Sequence, residues 1–426
     1  MAEATHPTGP VSPHQHATFF RQSGWLMIAN IGSGVLFYAV HFLSKRITPA
    51  EYGVFGVMLA VAMCVPNMPL QMVFAQQTAR ALATGRERAL AGMIKLAWLG
   101  TFGLALLFAI AVLVWREPIL SAWKLPDMAG LWITMGVVML SFWLPMFLGL
   151  MQGQQNFFWM GWDNILNGFG RLGIAALLVI VFHGASTGMM LGVCLGLGIA
   201  VGIGVWQTWG LWSPRSEPFN VRALLAQIVP LMLGFGAVQF LFTADTMYVK
   251  ACFSSDDSGF YVSAGTLSRA LLWLVLPLAT VMFPKIVHSV ARAEKSNLLS
   301  LVLLGTTVLA AGGALGLTLL GPWIVRFAFT EAYVRVATSL LPWYAWAMVP
   351  LSLANVLVNN LLARSQFGIV PVLIALAVGY GVALTHFHDS LIMVLQTLGV
   401  FNVLLLAASG WFTWRSLKEA AREATP

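Results

Sequence analysis

The sequence predicts an all-α polytopic membrane protein with 12 transmembrane helices, and three observations lead to that prediction. Hydrophobic residues make up 59% of the 426 residues and charged residues only 9%, whereas a soluble domain carries about 25% charged residues. Apolar runs recur at the length of about 20 residues that a helix needs to cross a bilayer. The basic residues lie mostly in short clusters between these runs, as expected for loops at a membrane surface.

The length criterion places 12 spans along the chain. They lie near 24–43, 53–75, 96–114, 129–150, 161–182, 188–210, 228–250, 260–284, 298–320, 337–360, 369–386 and 391–412. With the N-terminus inside, 14 of the 23 Lys and Arg residues fall in cytoplasmic segments, seven fall outside, and two lie within spans. Cytoplasmic loops carry an excess of basic residues, so this bias predicts that both termini are cytoplasmic.

A weak internal repeat divides the spans into two groups of six. EYGVF at 51–55 aligns with DSGFY at 257–261, and the basic loops at 80–95 and 285–295 align at a similar offset. Six spans per half give both halves the same orientation, which is typical of proteins that rock two lobes around a central site. The predicted division is a disordered cytoplasmic tail at 1–20, an N-terminal six-helix lobe at 21–210, a cytoplasmic linker at 211–222, a C-terminal six-helix lobe at 223–414, and a cytoplasmic tail at 415–426.

Arg171 lies near the middle of the fifth predicted span, about 15 Å from either interface at 1.5 Å per residue. A charge at that depth costs roughly 2.5–3.5 kcal/mol even on insertion scales, so it must face the protein interior or a wet cavity. Asn164 and Asn167 share its helix face, because they precede it at helical spacing. The face is either a cavity wall that binds phosphates or acidic sugars, for which a guanidinium is well suited, or a structural cluster satisfied by carbonyls.

Asp245 and Arg269 are further candidates, in spans seven and eight. Counted from a turn near Ser254, their depths differ by about 9 Å, so Asp245 pairs either with Arg269 or with Lys250 nearer the surface. A structural ion pair is one interpretation. The other is a cation- or proton-coupled site in which protonation of Asp245 frees Arg269 to line a cavity.

No catalytic or metal-ligating constellation stands out, and we expect neither an enzyme nor a cofactor. There is no Walker loop and no nucleophile–base motif. The three cysteines are scattered and form neither a disulfide framework nor a metal site. The net charge of +8 follows the loop pattern and accompanies no nucleic-acid-binding motif, so nucleic acid is not an expected partner.

Three stretches resemble motifs of polysaccharide-biosynthesis flippases. They are LSKRITPAEYGVFGVM after the first span, LGLMQGQQNF between spans four and five, and DTMYVKACFSSDDSGFYVSAGTLSRALLWLVLPLATVMFPKI over spans seven and eight. The chain thus resembles, over roughly residues 20–415, the multidrug/oligosaccharidyl-lipid/polysaccharide (MOP) exporter superfamily, whose bacterial O-antigen members are called Wzx-type flippases.

The resemblance implies two six-helix lobes in a V shape, as in MATE transporters, and alternating access. It implies a lipid-linked oligosaccharide on an isoprenoid-diphosphate carrier, moved across the bacterial inner membrane. Membrane lipids would be partners, together with a polysaccharide polymerase or glycosyltransferases.

Two other functions stay open. A cation-coupled drug or small-molecule exporter of the same superfamily would carry intramembrane carboxylates, which are nearly absent here. A non-transporting scaffold of a polysaccharide-assembly complex would tolerate replacement of Arg171 and Arg269.

Overall fold

The computed structural model describes the backbone of residues 13–213, 215–291 and 298–423, and the side chains within 24–213, 215–275 and 299–419. The regular structure of these residues is helical. The helices are α1 (Pro13–Ala39), α2 (Pro49–Met63), α3 (Asn67–Thr84), α4 (Glu87–Val114), α5 (Arg116–Ala122), α6 (Met128–Gly153), α7 (Phe157–Ile180), α8 (Ala185–Trp212), α9 (Val221–Cys252), α10 (Ser255–Ala291), α11 (Leu298–Ala328), α12 (Glu331–Ala363), α13 (Val370–His386) and α14 (Leu391–Glu423). A 3₁₀ segment, Val40–Arg46, extends α1, and another, Phe367–Ile369, precedes α13.

Within the described residues, 11 helical stretches are long and apolar enough to cross a membrane. They follow the predicted spans in order, apart from the eighth. That span, 260–284, falls within the 37-residue helix α10, whose side chains beyond residue 275 lie outside the described residues. The prediction of an all-α, multi-pass membrane protein is confirmed.

The helix boundaries differ from the predicted spans in two informative ways. The second span is divided, because Pro66 has no amide hydrogen to continue the helix between α2 and α3. At the N-terminus, α1 begins at Pro13, within the segment 1–20 for which a disordered tail is predicted; residues 1–12 lie outside the described residues.

The helices pack as two groups that meet along one seam. In the first group, α7 packs on α1 and α8, and α6 packs on α3 and α8. In the second group, α12 packs on α10, α11 and α14, while α13 packs on α9. The groups meet where α2 and α3 lie against α9 and α10. We call these groups the N-lobe and the C-lobe.

Glycines set the spacing between α7 and α8. A Cβ atom on Gly196 would lie 2.6 Å from the backbone nitrogen of Arg171 and 2.8 Å from the carbonyl oxygen of Asn167. One turn earlier, a Cβ on Gly192 would lie 2.6 Å from the Cβ of Ala175. Small residues allow such close approach of membrane helices. The crossing therefore fixes the position of the polar face of α7 inside the N-lobe.

Candidate functional site

The C-lobe cluster consists of Asp245, Thr246, Tyr261, Arg269 and Tyr344. Nη2 of Arg269 donates to Oδ1 and Oδ2 of Asp245 at 2.8 and 3.0 Å, and to the Thr246 hydroxyl at 2.9 Å. The Tyr261 hydroxyl donates to Oδ2 of Asp245 at 2.8 Å, and the Tyr344 hydroxyl donates to the same oxygen. Three helices, α9, α10 and α12, thus converge on one carboxylate.

This cluster is buried, and the Asp245 carboxylate is satisfied within it, whereas Nε of Arg269 has no hydrogen-bond partner among the described residues. The Asp245 side chain is fully buried and that of Arg269 is 12% exposed. The guanidinium also lies over the rings of Phe242 and Tyr344, 5.1 and 5.4 Å from their centroids. Lys250, the other partner considered for Asp245, donates to the carbonyl of Ala50 at 3.4 Å instead. A buried charge pair with these extra hydrogen bonds meets the condition under which it offsets its own desolvation.

The N-lobe cluster, on one face of α7, consists of Asp163, Asn167 and Arg171 at intervals of four residues. Asp163 is fully buried and Asn167 is 5% exposed. Both carboxylate oxygens of Asp163, Oδ1 of Asn167 and Nε of Arg171 are buried and have no hydrogen-bond partner among the described residues. Asn164, also predicted to line the site, lies beside this row and donates to Asn30 at 2.8 Å. The acid of the N-lobe cluster therefore lacks, among the described residues, the hydrogen bonds that the acid of the C-lobe cluster has.

Among the residues that the structure describes, Arg171 has an aromatic neighbour and no anionic one. Its guanidinium lies 5.4 Å from the ring centroid of Phe37 on α1. No carboxylate among the described residues forms an ion pair with it. Asp163 is eight residues away along α7, which is about 12 Å along the axis. The half-buried guanidinium therefore keeps donors available for an anion that the described part of the chain does not provide.

Polar side chains of the N-lobe and the C-lobe contact each other across the seam. His41, one turn after Phe37, has its Nδ1 2.7 Å from the hydroxyl of Tyr52, and that hydroxyl lies 3.2 Å from the Thr266 hydroxyl on α10. Thr266 precedes Arg269 by three residues, so both lie on one face of α10. The contacts of Tyr52 with His41 and Thr266 thus cross the seam between the two lobes.

Two parts of this arrangement were not predicted from the sequence. Asp163 is the third residue of the predicted span 161–182, but α7 begins at Phe157 and places it about 9 Å inside the helix. The spacing of four residues between Asp163 and Asn167 was the feature of the sequence that places Asp163 on the same helix face. The tyrosines around Asp245 come from distant sequence positions, and nothing in their local context indicates a shared partner.

A buried acid lies in each cluster together with the predicted site arginine, so neither cluster is purely cationic. Arg269 is neutralised by Asp245, and Asp163 adds a second buried acid against Arg171. No group of three or more metal-ligating side chains is found among the residues that the structure describes. Arg171 remains the one site arginine without an ion-pair partner in that part of the chain.

No family model and no curated protein sequence matches the chain. Solved structures share its fold. An inward-facing multidrug resistance MATE family transporter of the MOP superfamily superimposes with a TM-score of 0.68 at 8% identity, covering 92% of this chain and 96% of that chain. The lipid II flippase MurJ, in an inward closed conformation, gives 0.67 at 15% identity, with coverages of 92% and 86%. The bent form of the Vibrio cholerae MATE transporter VcmN gives 0.63 at 12% identity, with coverages of 95% and 98%. The expected MATE-like fold is confirmed.

Proposed function

We propose that the protein is a flippase that moves a lipid-linked oligosaccharide, on an isoprenoid-diphosphate carrier, across the bacterial inner membrane for surface polysaccharide assembly. Substrate would enter from the cytoplasmic leaflet, the two lobes would rock, and the glycan would leave on the external side. The fold supports a transporter, because the structures with which it is shared are transporters and a flippase.

The observation that carries the substrate class is the unpaired guanidinium of Arg171. An arginine at this depth needs an anionic or strongly accepting partner, and no side chain of the described residues forms an ion pair with it. A diphosphate or an acidic sugar provides oxygens in the geometry that the guanidinium fork binds. Asn167, one turn away with a buried and unpartnered Oδ1, would accept hydrogen bonds from sugar hydroxyls, and Asn164 stands beside it.

Arg269 has a different role in this proposal. Its charge is neutralised by Asp245, which accepts four hydrogen bonds. Binding of a proton or cation by Asp245 would have to displace some of these bonds before Arg269 could reach a substrate. Asp245 is therefore a costly coupling residue. Asp163, whose carboxylate has no hydrogen bond to displace among the described residues, is the easier one.

The same carboxylate favours a second candidate function, a cation-coupled exporter of small molecules. A buried acid without a partner is expensive to keep charged and is relieved by a proton or a metal cation. Asp163 thus supplies an intramembrane acid of the kind that such an exporter needs. The two functions differ in cargo, so substrate assays separate them.

The experiment compares Arg171→Gln, which removes the positive charge, with Arg171→Lys, which keeps the charge but loses the bidentate hydrogen-bonding geometry of the guanidinium. Each is expressed in a strain lacking the native gene, and surface polysaccharide, inner-leaflet lipid-linked glycan and protein level are measured. We expect Arg171→Gln to abolish the surface polysaccharide and to cause accumulation of the lipid-linked precursor. Arg171→Lys should retain part of the surface polysaccharide. The matched control is Arg326→Gln, which removes an exposed arginine paired with Glu331.

Normal surface polymer in Arg171→Gln cells, at normal protein level, would overturn the assignment of Arg171 as a substrate ligand. An exporter would instead show efflux of a cationic dye that depends on an ion gradient and is lost in Asp163→Asn. A scaffold would lose polymer only when the protein itself is missing.

A further inference from the structure

The two copies of the internal repeat pack directly against each other at the external end of the seam. A Cβ atom on Gly53 would collide with the side chain of Ser258 and lie 2.9 Å from the backbone nitrogen of Gly259. A Cβ on Gly259 would collide with the carbonyl of Pro49. The two glycines occupy corresponding places in EYGVF and DSGFY. These segments, 49–56 and 258–262, form what we call the external seam.

Two lysines of the N-lobe cross from the edges of this seam to the C-lobe. Nζ of Lys45 donates to the carbonyl of Phe327 at 2.7 Å, and Nζ of Lys124 donates to the carbonyl of Phe253. Phe327 lies in the last turn of α11, and Phe253 is the residue that ends α9. The last carbonyls of a helix have no partner within it and lie at the negative end of its dipole. Each lysine therefore provides both a missing donor and a complementary charge.

The backbone at Lys124 supports a specific role for this side chain. Lys124 follows the short helix α5 with φ of +50°, a left-handed conformation that helix ends usually give to glycine. A residue with a long side chain adopts it at a cost, and such strain persists where the surrounding structure holds it. Here the strained turn places the lysine against the opposite lobe.

We propose that Lys45 and Lys124 form a latch that holds the external seam closed by capping helix-end carbonyls of the other lobe. Opening of the external face separates the two repeat segments and breaks both caps. Among the described residues neither lysine forms an ion pair, so the latch uses charge–dipole contacts, each cap is weak and the closed state stays reversible. The need for such opening rests on the proposed transport function, whereas the closure itself is measurable without any substrate.

The test uses a cysteine that the seam covers. Thr266→Cys is placed in a chain whose native Cys64, Cys194 and Cys252 are replaced by Ser, because Thr266 is half-buried beneath Tyr52. Right-side-out vesicles are treated with a membrane-impermeant methanethiosulfonate reagent, and the labelling rate is measured. Because each helix-end charge shifts an equilibrium by a factor of about 2 to 5, adding both Lys45→Ala and Lys124→Ala should raise the labelling rate about 4- to 25-fold.

Two comparisons make the result specific. Lys45→Arg with Lys124→Arg keeps both charges and should label within about 2-fold of the parent rate. Arg116→Ala removes an exposed external charge that pairs with Glu117 in its own lobe and should leave the rate unchanged. Equal rates for the Ala pair and its parent, or no labelling in either, would overturn the latch. The flippase proposal is unaffected by that result, because it is judged by glycan export in native-sequence cells.

Discussion

Breaking the ion pair between Asp245 and Arg269 gives the most quantitative prediction. Asp245→Asn removes the charge that neutralises Arg269 and leaves the buried guanidinium with neutral acceptors among the described residues, the Thr246 hydroxyl and the amide oxygen at position 245. Removal of one partner of a buried pair costs about 3–5 kcal/mol, because the other charge is left uncompensated. Arg269→Gln should cost a similar amount, since it leaves Asp245 charged with only the two tyrosine hydroxyls.

The double variant distinguishes this reasoning from simple loss of contacts. With both charges gone, two amides of similar size remain among Tyr261 and Tyr344, and neither carries an uncompensated charge. Because replacement of a whole buried pair is often nearly neutral, we expect Asp245→Asn with Arg269→Gln to cost about 1–2 kcal/mol, less than either single change. The interaction energy of the cycle is then several kcal/mol, beyond the 0.5–3 kcal/mol of ordinary contacting residues.

The assay is equilibrium unfolding in mixed micelles, followed by tryptophan fluorescence, on the four chains of the cycle. Surface polysaccharide is measured in parallel, since a structural pair also predicts that the double variant regains function lost in the single ones. Single changes that cost less than 1 kcal/mol, or a double variant whose cost equals their sum, would refute the reasoning.

Three further predictions concern the N-lobe and the seam. Gly196→Leu should destabilise the protein by about 1–3 kcal/mol through overpacking, whereas Gly198→Leu, whose Cβ would meet no atom within 4 Å, should not; thermal unfolding in detergent compares them. Asp163→Asn should raise the free energy of unfolding by about 1–3 kcal/mol, because it removes a buried carboxylate that has no partner among the described residues. A lower free energy of unfolding would contradict this reasoning. The same change should abolish any dependence of transport on an ion gradient. Tyr52→Phe, which removes the hydroxyl between His41 and Thr266, should speed Thr266→Cys labelling, and an unchanged rate would exclude a closing role for this bridge.

The membrane spans were predictable because the bilayer imposes one length on them. A run of about 20 apolar residues has few alternatives in a chain this hydrophobic, and the order of the spans was recovered in the described residues. Their ends were less predictable, since α9 and α12 continue well beyond the apolar core. Asp163 was overlooked for that reason, because a hydropathy boundary a few residues late placed it at the membrane surface.

The partners within the site were predictable only in part. Helical spacing correctly placed Asn167 and Arg171 on one face of α7. Whether Asp245 pairs with Arg269 or with Lys250 depends on the rotation of α10 against α9. A count of residues along the helix axis does not determine that rotation. Tyr261 and Tyr344 both donate to Oδ2 of Asp245 because α9, α10 and α12 pack together. No local sequence pattern predicts this convergence.

The two buried acids differ in how far their hydrogen-bonding capacity is met by the described residues. Asp245 is bound by donors from α10 and α12, so a ligand there must first replace bonds that already exist. Both carboxylate oxygens of Asp163 and Nε of Arg171 have no partner among the described residues, so a ligand bound by these atoms gains interactions without replacing existing ones. A ligand shifts a conformational equilibrium only through its different affinity for the two states. Under the proposed function, a ligand that gains interactions at the N-lobe cluster in one state and not in the other would shift the equilibrium toward that state.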